Sequence, residues 1–419
     1  MMKKALSPML RFPFAVVACA LLLAVLPAAP TRAANLTVTP GLLIEEAWDS
    51  NIFNAPIDAT QTDDFITRAT PRLTLTLVSP GSAVNLMGAI EAEWYAENTD
   101  LNRNAATKLL ELTTTGPLVL SPRFSLYPAA RFVESRDTGR PEILIEVPGP
   151  TPLPAPDITP TETVITARTG RRVYAASLQT ISRLTPNVDL ELGGTFLRRD
   201  YFEGPPGLID SRTFAENAAV LWRFSPRYSG GIFAEASQNS FIGRPNSRTY
   251  TGGLIGRYTW SEQTLIEGRA GATYRLESTG VDNEKISGWD PYALFSVAHA
   301  RPGFRAFFLA SYELAGAGSF GLTTKRGSAS LDLFHELARD WAWDVSGAWQ
   351  SNRSTDEAVS EDIITARGSA GLRYTATPWA MLRLGGTAAR QWSQGPSGSD
   401  LERFSVMLGL TLTNTYLIL

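Results

Sequence analysis

The chain has 419 residues, 19% of them charged, with a formal net charge of −3 at pH 7. One cysteine and two histidines leave almost nothing for disulfides, thiolate metal sites or imidazole chemistry, and the acidic balance excludes nucleic acid as a partner. A soluble protein of this length would divide into two or more domains, but the patterning predicts one repeating unit instead.

The first element is an export signal. Lys3, Lys4 and Arg11 supply cations, Phe14 to Leu26 is apolar, and Thr31 and Ala33 fit the −3 and −1 positions of a cleavage site. Residues 1–33 are therefore expected to be a signal peptide, too short in its apolar run to anchor in a membrane. Cys19 lies inside it and is lost on processing. Cleavage also removes Lys3, Lys4, Arg11 and Arg32 and no acid, which takes the net charge from −3 to −7.

From residue 34 to 419 the recurring feature is alternation over about ten residues, the signature of a membrane barrel strand with side-chain period two. Leu73, Leu75 and Leu77 oppose Arg68, Arg72, Thr74 and Thr76. Val188, Leu190, Leu192 and Phe196 oppose Asp189, Glu191, Thr195 and Arg199. Near the end, Phe404, Val406, Leu408, Leu410 and Leu412 oppose Arg403, Ser405, Gly409 and Thr411. Segments 106–116 and 287–300 alternate poorly.

Short links fall at 79–81, 121–122, 185–187, 225–227, 261–263, 301–303, 338–340 and 377–378. Several place Pro after Ser or Thr, where its fixed φ starts a tight turn and its missing donor does no harm. Between them lie longer polar connections near 54–62, 99–105, 137–167, 202–210, 241–246, 278–286, 316–320, 353–360 and 394–399. Eight turns and nine loops predict an all-β, antiparallel up-and-down transmembrane barrel of about eighteen strands, sixteen at the least. Short turns face the periplasm of a Gram-negative cell and long loops the outside. Segment 137–167 carries seven prolines between Pro141 and Pro160, which favours extended polyproline over a strand.

Aromatic residues fit the same topology. Trp222, Phe224, Tyr258, Trp260, Trp341, Trp343, Tyr374 and Trp379 fall beside short turns, while Trp48, Trp94, Tyr201, Tyr274, Tyr312, Trp349 and Trp392 fall beside long loops. Two belts at the lipid headgroups are expected. The chain ends Tyr416-Leu417-Ile418-Leu419, apolar but without an aromatic at the last position.

Charges on the lipid face would cost about 2–4 kcal/mol each at mid-depth, so the polar face must be the wet interior. The pore-lining candidates are Arg68, Arg72, Glu91, Glu93, Arg131, Arg199, Arg223, Arg257, Arg269, Arg275, Arg305, Arg367, Arg373, Arg383 and Arg403. Arg183, Asp189, Glu191, Glu235, Glu267, Glu313, Asp332 and Asp344 join them. Such charges either pair across neighbouring strands and fill the lumen, or form rings that select a solute. Basic members outnumber acids here, an anion-attracting bias. His299 and His335 lie near short turns without a nucleophile motif, so no catalytic residue, metal site or cofactor is expected.

The start Glu45-Glu46-Ala47-Trp48-Asp49-Ser50-Asn51-Ile52-Phe53 resembles the opening of the β-barrel porin 2 family. Asp63-Asp64-Phe65-Ile66-Thr67, leading to Pro71-Arg72-Leu73, and the stretch from Arg183-Leu184-Thr185-Pro186-Asn187 to Arg198-Arg199-Asp200-Tyr201 are similar to it as well. The resemblance implies an outer-membrane pore that assists exopolysaccharide export beside a periplasmic polysaccharide-export protein. The residues themselves leave two alternatives open, a general or anion-preferring diffusion porin for small solutes and a plugged structural or adhesive barrel. Asp49 and Asn51 are expected in the first outer loop, where an Asx turn would close it.

Overall fold

The computed structural model describes residues 35–79, 82–136, 168–202, 209–242, 246–278, 285–317, 322–355, 362–394 and 400–417. The expected signal peptide and proline-rich segment lie outside them. The first strands are β1 (Asn35–Asp49), β2 (Asp64–Ser79), β3 (Ser82–Tyr95), β4 (Arg103–Thr115), β5 (Leu118–Ser121) and β6 (Phe124–Ser135). Next come β7 (Gly170–Thr185), β8 (Val188–Phe202), β9 (Ser211–Arg223), β10 (Tyr228–Phe241), β11 (Ser247–Ser261), β12 (Thr264–Ser278) and β13 (Lys285–Arg301). The wall is completed by β14 (Phe304–Ala317), β15 (Leu322–Ala338), β16 (Trp341–Ser354), β17 (Asp362–Thr377), β18 (Ala380–Gln394), β19 (Leu401–Thr413) and β20 (Tyr416–Leu417).

Every pairing is antiparallel between chain neighbours, and β19 returns to pair with β1 from Gly41↔Thr413 to Asp49↔Ser405. The sheet is closed. Its twenty segments make eighteen staves, because β4 and β5 share the stave beside β6 and β20 continues β19 along the start of β1. The break in the shared stave falls at Gly116, whose φ of 78° suits only a residue without a Cβ. The expected strand count and all eight short turns agree with this architecture.

The turns show why Ser and Thr recur before them. Ser225 Oγ accepts from the backbone N–H of Arg227 at 3.2 Å and of Tyr228 at 3.1 Å. Thr185 receives the amide of Asn187 and Ser261 that of Gln263, at 3.3 and 3.2 Å. Each hydroxyl satisfies a donor that the ladder leaves open. Gly303, at φ +74°, closes the 301–304 hairpin.

Alternation sorts the two faces. Along β19, Phe404, Val406 and Leu408 are exposed outward, while Arg403 is buried on the inner side. Outward aromatics form one belt near the turns, including Trp222, Trp260, Trp341 and Trp379, and another near the loops, including Trp94, Trp289, Trp349 and Trp392. With an antiparallel ladder closed into a ring and an apolar band between two aromatic belts, this is a transmembrane barrel of the Gram-negative outer membrane.

The inner face is less uniformly polar than the sequence suggests. Met87, Ala89, Leu109, Val133 and Val173 form one buried cluster, extended by Leu197. Ala219, Leu221, Phe233, Ile255 and Tyr292 form another, extended by Leu294. These explain the two poorly alternating segments, since Leu109 points in while Leu110 points out, and Leu294 points in while Phe295 points out. Leu408 stands on the lipid face near mid-height of β19. Leu408→Arg should cost about 2–4 kcal/mol in urea unfolding from liposomes, and Ser405→Arg on the inner face clearly less. Equal costs would show that the faces are misassigned.

Candidate functional site

The inward residues enclose a cavity of about 1100 Å³. It touches Asp49, Asn239 and Gln350 near the loop ends of the strands and Ile181, Leu265 and Ala298 near the turn ends. The lumen is thus continuous along the wall. Among the described residues its lining holds eight arginines, Arg68, Arg199, Arg257, Arg269, Arg326, Arg367, Arg383 and Arg403. Eight carboxylates accompany them, from Glu45, Asp49, Glu91, Glu191, Glu235, Glu267, Glu313 and Asp332. The basic excess expected from the sequence is absent from this lining.

Most of these charges are clamped across strands, because the register puts opposite signs side by side. Glu45, Arg68 and Glu93 face one another on β1, β2 and β3. Arg68 donates to Glu45 at 2.7 Å and to Glu93 at 3.2 Å, and all three side chains are buried. Arg168, just before β7, reaches the same Glu93 at 3.7 Å and donates to the Tyr95 hydroxyl at 2.9 Å. On the far side, Arg257 binds Glu267 opposite it at 2.6 Å and also reaches Glu191 on β8. The small inward residues Ala219 and Gly231 on the intervening strands leave room for that reach. Arg269 shares Glu267 at 2.8 Å, and Arg326 pairs with Glu313.

Of the other sequence candidates on the inner face, Glu91, Arg367 and Arg383 line the cavity and the rest lie outside its lining. Arg223 donates to Asp189 at 3.0 Å, and Arg183 approaches the same carboxylate at 3.6 Å. Arg275 bonds Glu277 at 2.8 Å, and Arg131 lies 4.0 Å from Glu111. Arg373 and Arg383 both hold Asp344, at 2.8 and 2.9 Å. Arg305 stacks over the Phe334 ring at 4.6 Å. Arg72 lies against Gly41, where any Cβ would stand 2.7 Å from its Nε. Glu91 accepts from Thr107 at 3.1 Å, and Arg367 has partners of its own.

Two lining charges stand apart. Arg199 forms no ion pair or hydrogen bond among the described residues, and its Nε is buried without a partner. Glu235 likewise has no ion pair or hydrogen bond among them.

Sequence reasoning missed the clamp at the closing seam. Asp49 accepts the Asn51 amide at 3.0 Å, an Asx turn as expected, but its carboxylate also holds Arg403 of β19 at 2.6 Å. Arg403 donates on to Asn54 at 2.9 Å, and Asn51 reaches the carbonyls of Ala55 and Glu402. The acidic start of the chain therefore closes the barrel from inside rather than only shaping a loop. Arg326 was missed because Lys325 precedes it, and the pair leaves the inward phase ambiguous. Extending the phase from Asp332 would have found it. His299 and His335 face outward in the turn-side belt, where His299 Nδ1 lies 2.8 Å from the Thr264 hydroxyl and His335 packs edge-on against Trp343.

No protein-family model matches the chain, and no curated protein matches it. Among solved structures it is similar to OpdK of Pseudomonas aeruginosa, crystallised with vanillate, at 11% identity over 90% of this chain and 99% of that one, with a TM-score of 0.41. It is also similar to a BenF-like porin of Pseudomonas fluorescens Pf-5, at 10% identity over 91% and 99% of the two chains and a TM-score of 0.43.

Removing one partner of a buried clamp strands the others. Arg68→Ala should lower unfolding free energy by about 3–5 kcal/mol, because Glu45 and Glu93 remain buried. Arg223→Ala, whose side chain is 39% exposed, should cost less than about 1 kcal/mol. Denaturant titration of refolded barrels measures both, and similar losses would show that the Arg68 clamp carries no special weight.

Proposed function

We propose that the barrel is a passive diffusion pore for small hydrophilic solutes in the outer membrane. The observation that carries this reading is the continuous lumen, lined by charge at both ends and about 1100 Å³ in volume. That volume lies just above the roughly 300–1,000 Å³ of small-molecule sites. Barrels of 16–18 strands are wide enough to keep an aqueous channel. Because arginines and carboxylates balance in the lining and most are paired, the pore discriminates weakly between small anions and cations. Arg199 and Glu235 are the lining charges free to meet a solute.

Export of a sugar polymer beside a periplasmic partner is the reading that the β-barrel porin 2 resemblance suggests. The cavity's size and its cross-strand clamps favour small solutes over a polymer. Clean deletion separates the two: loss of secreted polysaccharide would support export, whereas unchanged polysaccharide with slower small-solute uptake supports diffusion.

In planar bilayers the purified chain should insert with stepwise conductance, and its potassium-to-chloride permeability ratio should lie within about threefold of one. Arg199→Glu should move that ratio toward cations. Absence of conductance would overturn the pore reading, and an unmoved ratio would remove Arg199 from the solute path.

A further inference from the structure

Outside the barrel, at the loop ends of β7 to β11, four arginines repeat one arrangement. Arg172, Arg198, Arg212 and Arg248 each stand two residues from an outward aromatic on the same face, Tyr174, Phe196, Phe214 and Tyr250 respectively. In every case the arginine lies on the loop side of the ring. Two strand residues span about 7 Å, roughly the step from acyl chains to headgroups. The outward assignment follows from their neighbours, since Val173, Thr249 and Ser247 are buried on the inner face while Arg212, Phe214, Arg248 and Tyr250 are exposed.

Among the described residues, the ion pairs of this band leave some of its cations unmatched. Glu134 serves Arg172 at 2.6 Å and Lys108 at 2.7 Å, and Asp200 serves Arg198 at 2.8 Å. Arg198 and Arg212 sit directly opposite each other in the ladder, a like-charge pair that destabilises the wall unless an anion lies between them. Neither Arg212 nor Arg248 has an ion pair or hydrogen bond among the described residues. On the other wall Arg353 is matched by Asp362 at 3.1 Å and Arg390 by Glu402 at 4.0 Å.

From this charge and its height above the aromatic belt, we infer that the outer face of β7–β11 is a docking surface for a phosphorylated glycolipid of the outer leaflet, of the lipid A class. Its acyl chains lie against the wall below the rings, where Leu178, Leu192, Ile232 and Leu254 are exposed beside one carboxylate, Glu216. Its phosphates sit between guanidinium groups, whose planar forks of N–H donors match phosphate oxygens two at a time. The site lies on the lipid side of the wall and owes nothing to what passes through the lumen.

The test uses the full refolded chain in detergent micelles with bisphosphorylated lipid A and its dephosphorylated counterpart, bound lipid being counted by native mass spectrometry. Wild type should retain the phosphorylated form, and Arg212→Gln/Arg248→Gln should lower its affinity by at least about tenfold. The matched-wall control Arg353→Gln/Arg390→Gln should stay within about twofold of wild type. Heat-modifiable gel migration verifies folding, and should the double variant fail to fold, Arg212→Gln alone should lose about fivefold. Equal retention by the Arg212/Arg248 variants and wild type overturns the proposal. So does equal retention of the dephosphorylated lipid, or displacement by millimolar inorganic phosphate, which would mark a site for the free ion.

Discussion

The whole structure depends on one constraint: in hydrocarbon, each backbone N–H and C=O must find its partner within the protein. A sheet satisfies this only by closing, and here closure is the β1–β19 ladder. The seam joins β1 to β19 with no hairpin between them. It is accordingly reinforced by side chains. Asp49 grips Arg403, Asn51 bonds the Glu402 carbonyl, and the Ser50 and Phe404 backbones bond each other at 2.9 Å. The acidic end of β1 thus acts as a fastener, built where no hairpin joins the neighbouring strands.

Closure at eighteen staves leaves an interior too wide for side chains to fill, and the inner face must then reconcile water with a curved wall. It does so by pairing charge across the ladder. A buried guanidinium between two carboxylates, such as Arg68 between Glu45 and Glu93, ties three staves at one height. Inward apolar clusters do comparable work where neighbouring side chains pack, as Phe233 does against Tyr292 at 5.4 Å between ring centres. The lumen is consequently partitioned into clamped wall and open path, and only charges left out of the clamps are available to a solute.

How much of this the sequence revealed follows from the range of each interaction. Turns are local, so Ser-Pro and Thr-Pro steps marked five of the eight hairpins, short polar or Pro-Gly links marked the other three, and the strand count followed. Facing is also local, because period two carries the phase along each strand. The pairing of Arg257 with Glu191 was not legible, since it crosses two intervening strands and depends on Ala219 and Gly231 being small. The inward apolar clusters were hidden for the opposite reason. Where both faces are apolar, as at Leu109 and Leu110, alternation disappears and the phase must be inherited from neighbouring strands. The basic excess disappears from the lining mainly because Arg72, Arg131, Arg183, Arg223, Arg275, Arg305 and Arg373 lie outside it, while Glu45 and Asp49 join it.

The same arithmetic governs arginines on both sides of the wall. Inside, the register brings a carboxylate directly opposite Arg68, Arg131, Arg183, Arg257 and Arg326, and the low dielectric makes such clamps costly to break. Outside, at the loop ends of β7–β11, the ladder sets Arg198 against Arg212 and supplies no acid for Arg212 or Arg248. A slip of one residue would exchange these environments, carrying lumen charges into lipid and leucines into water. The mid-depth penalty of about 2–4 kcal/mol per charge, repeated along a strand, forbids that slip. Register is therefore fixed by the membrane itself. Among the described strand residues, cations lacking a carboxylate partner stand in the lumen, where solutes pass, or in the headgroup layer, where lipid phosphates lie.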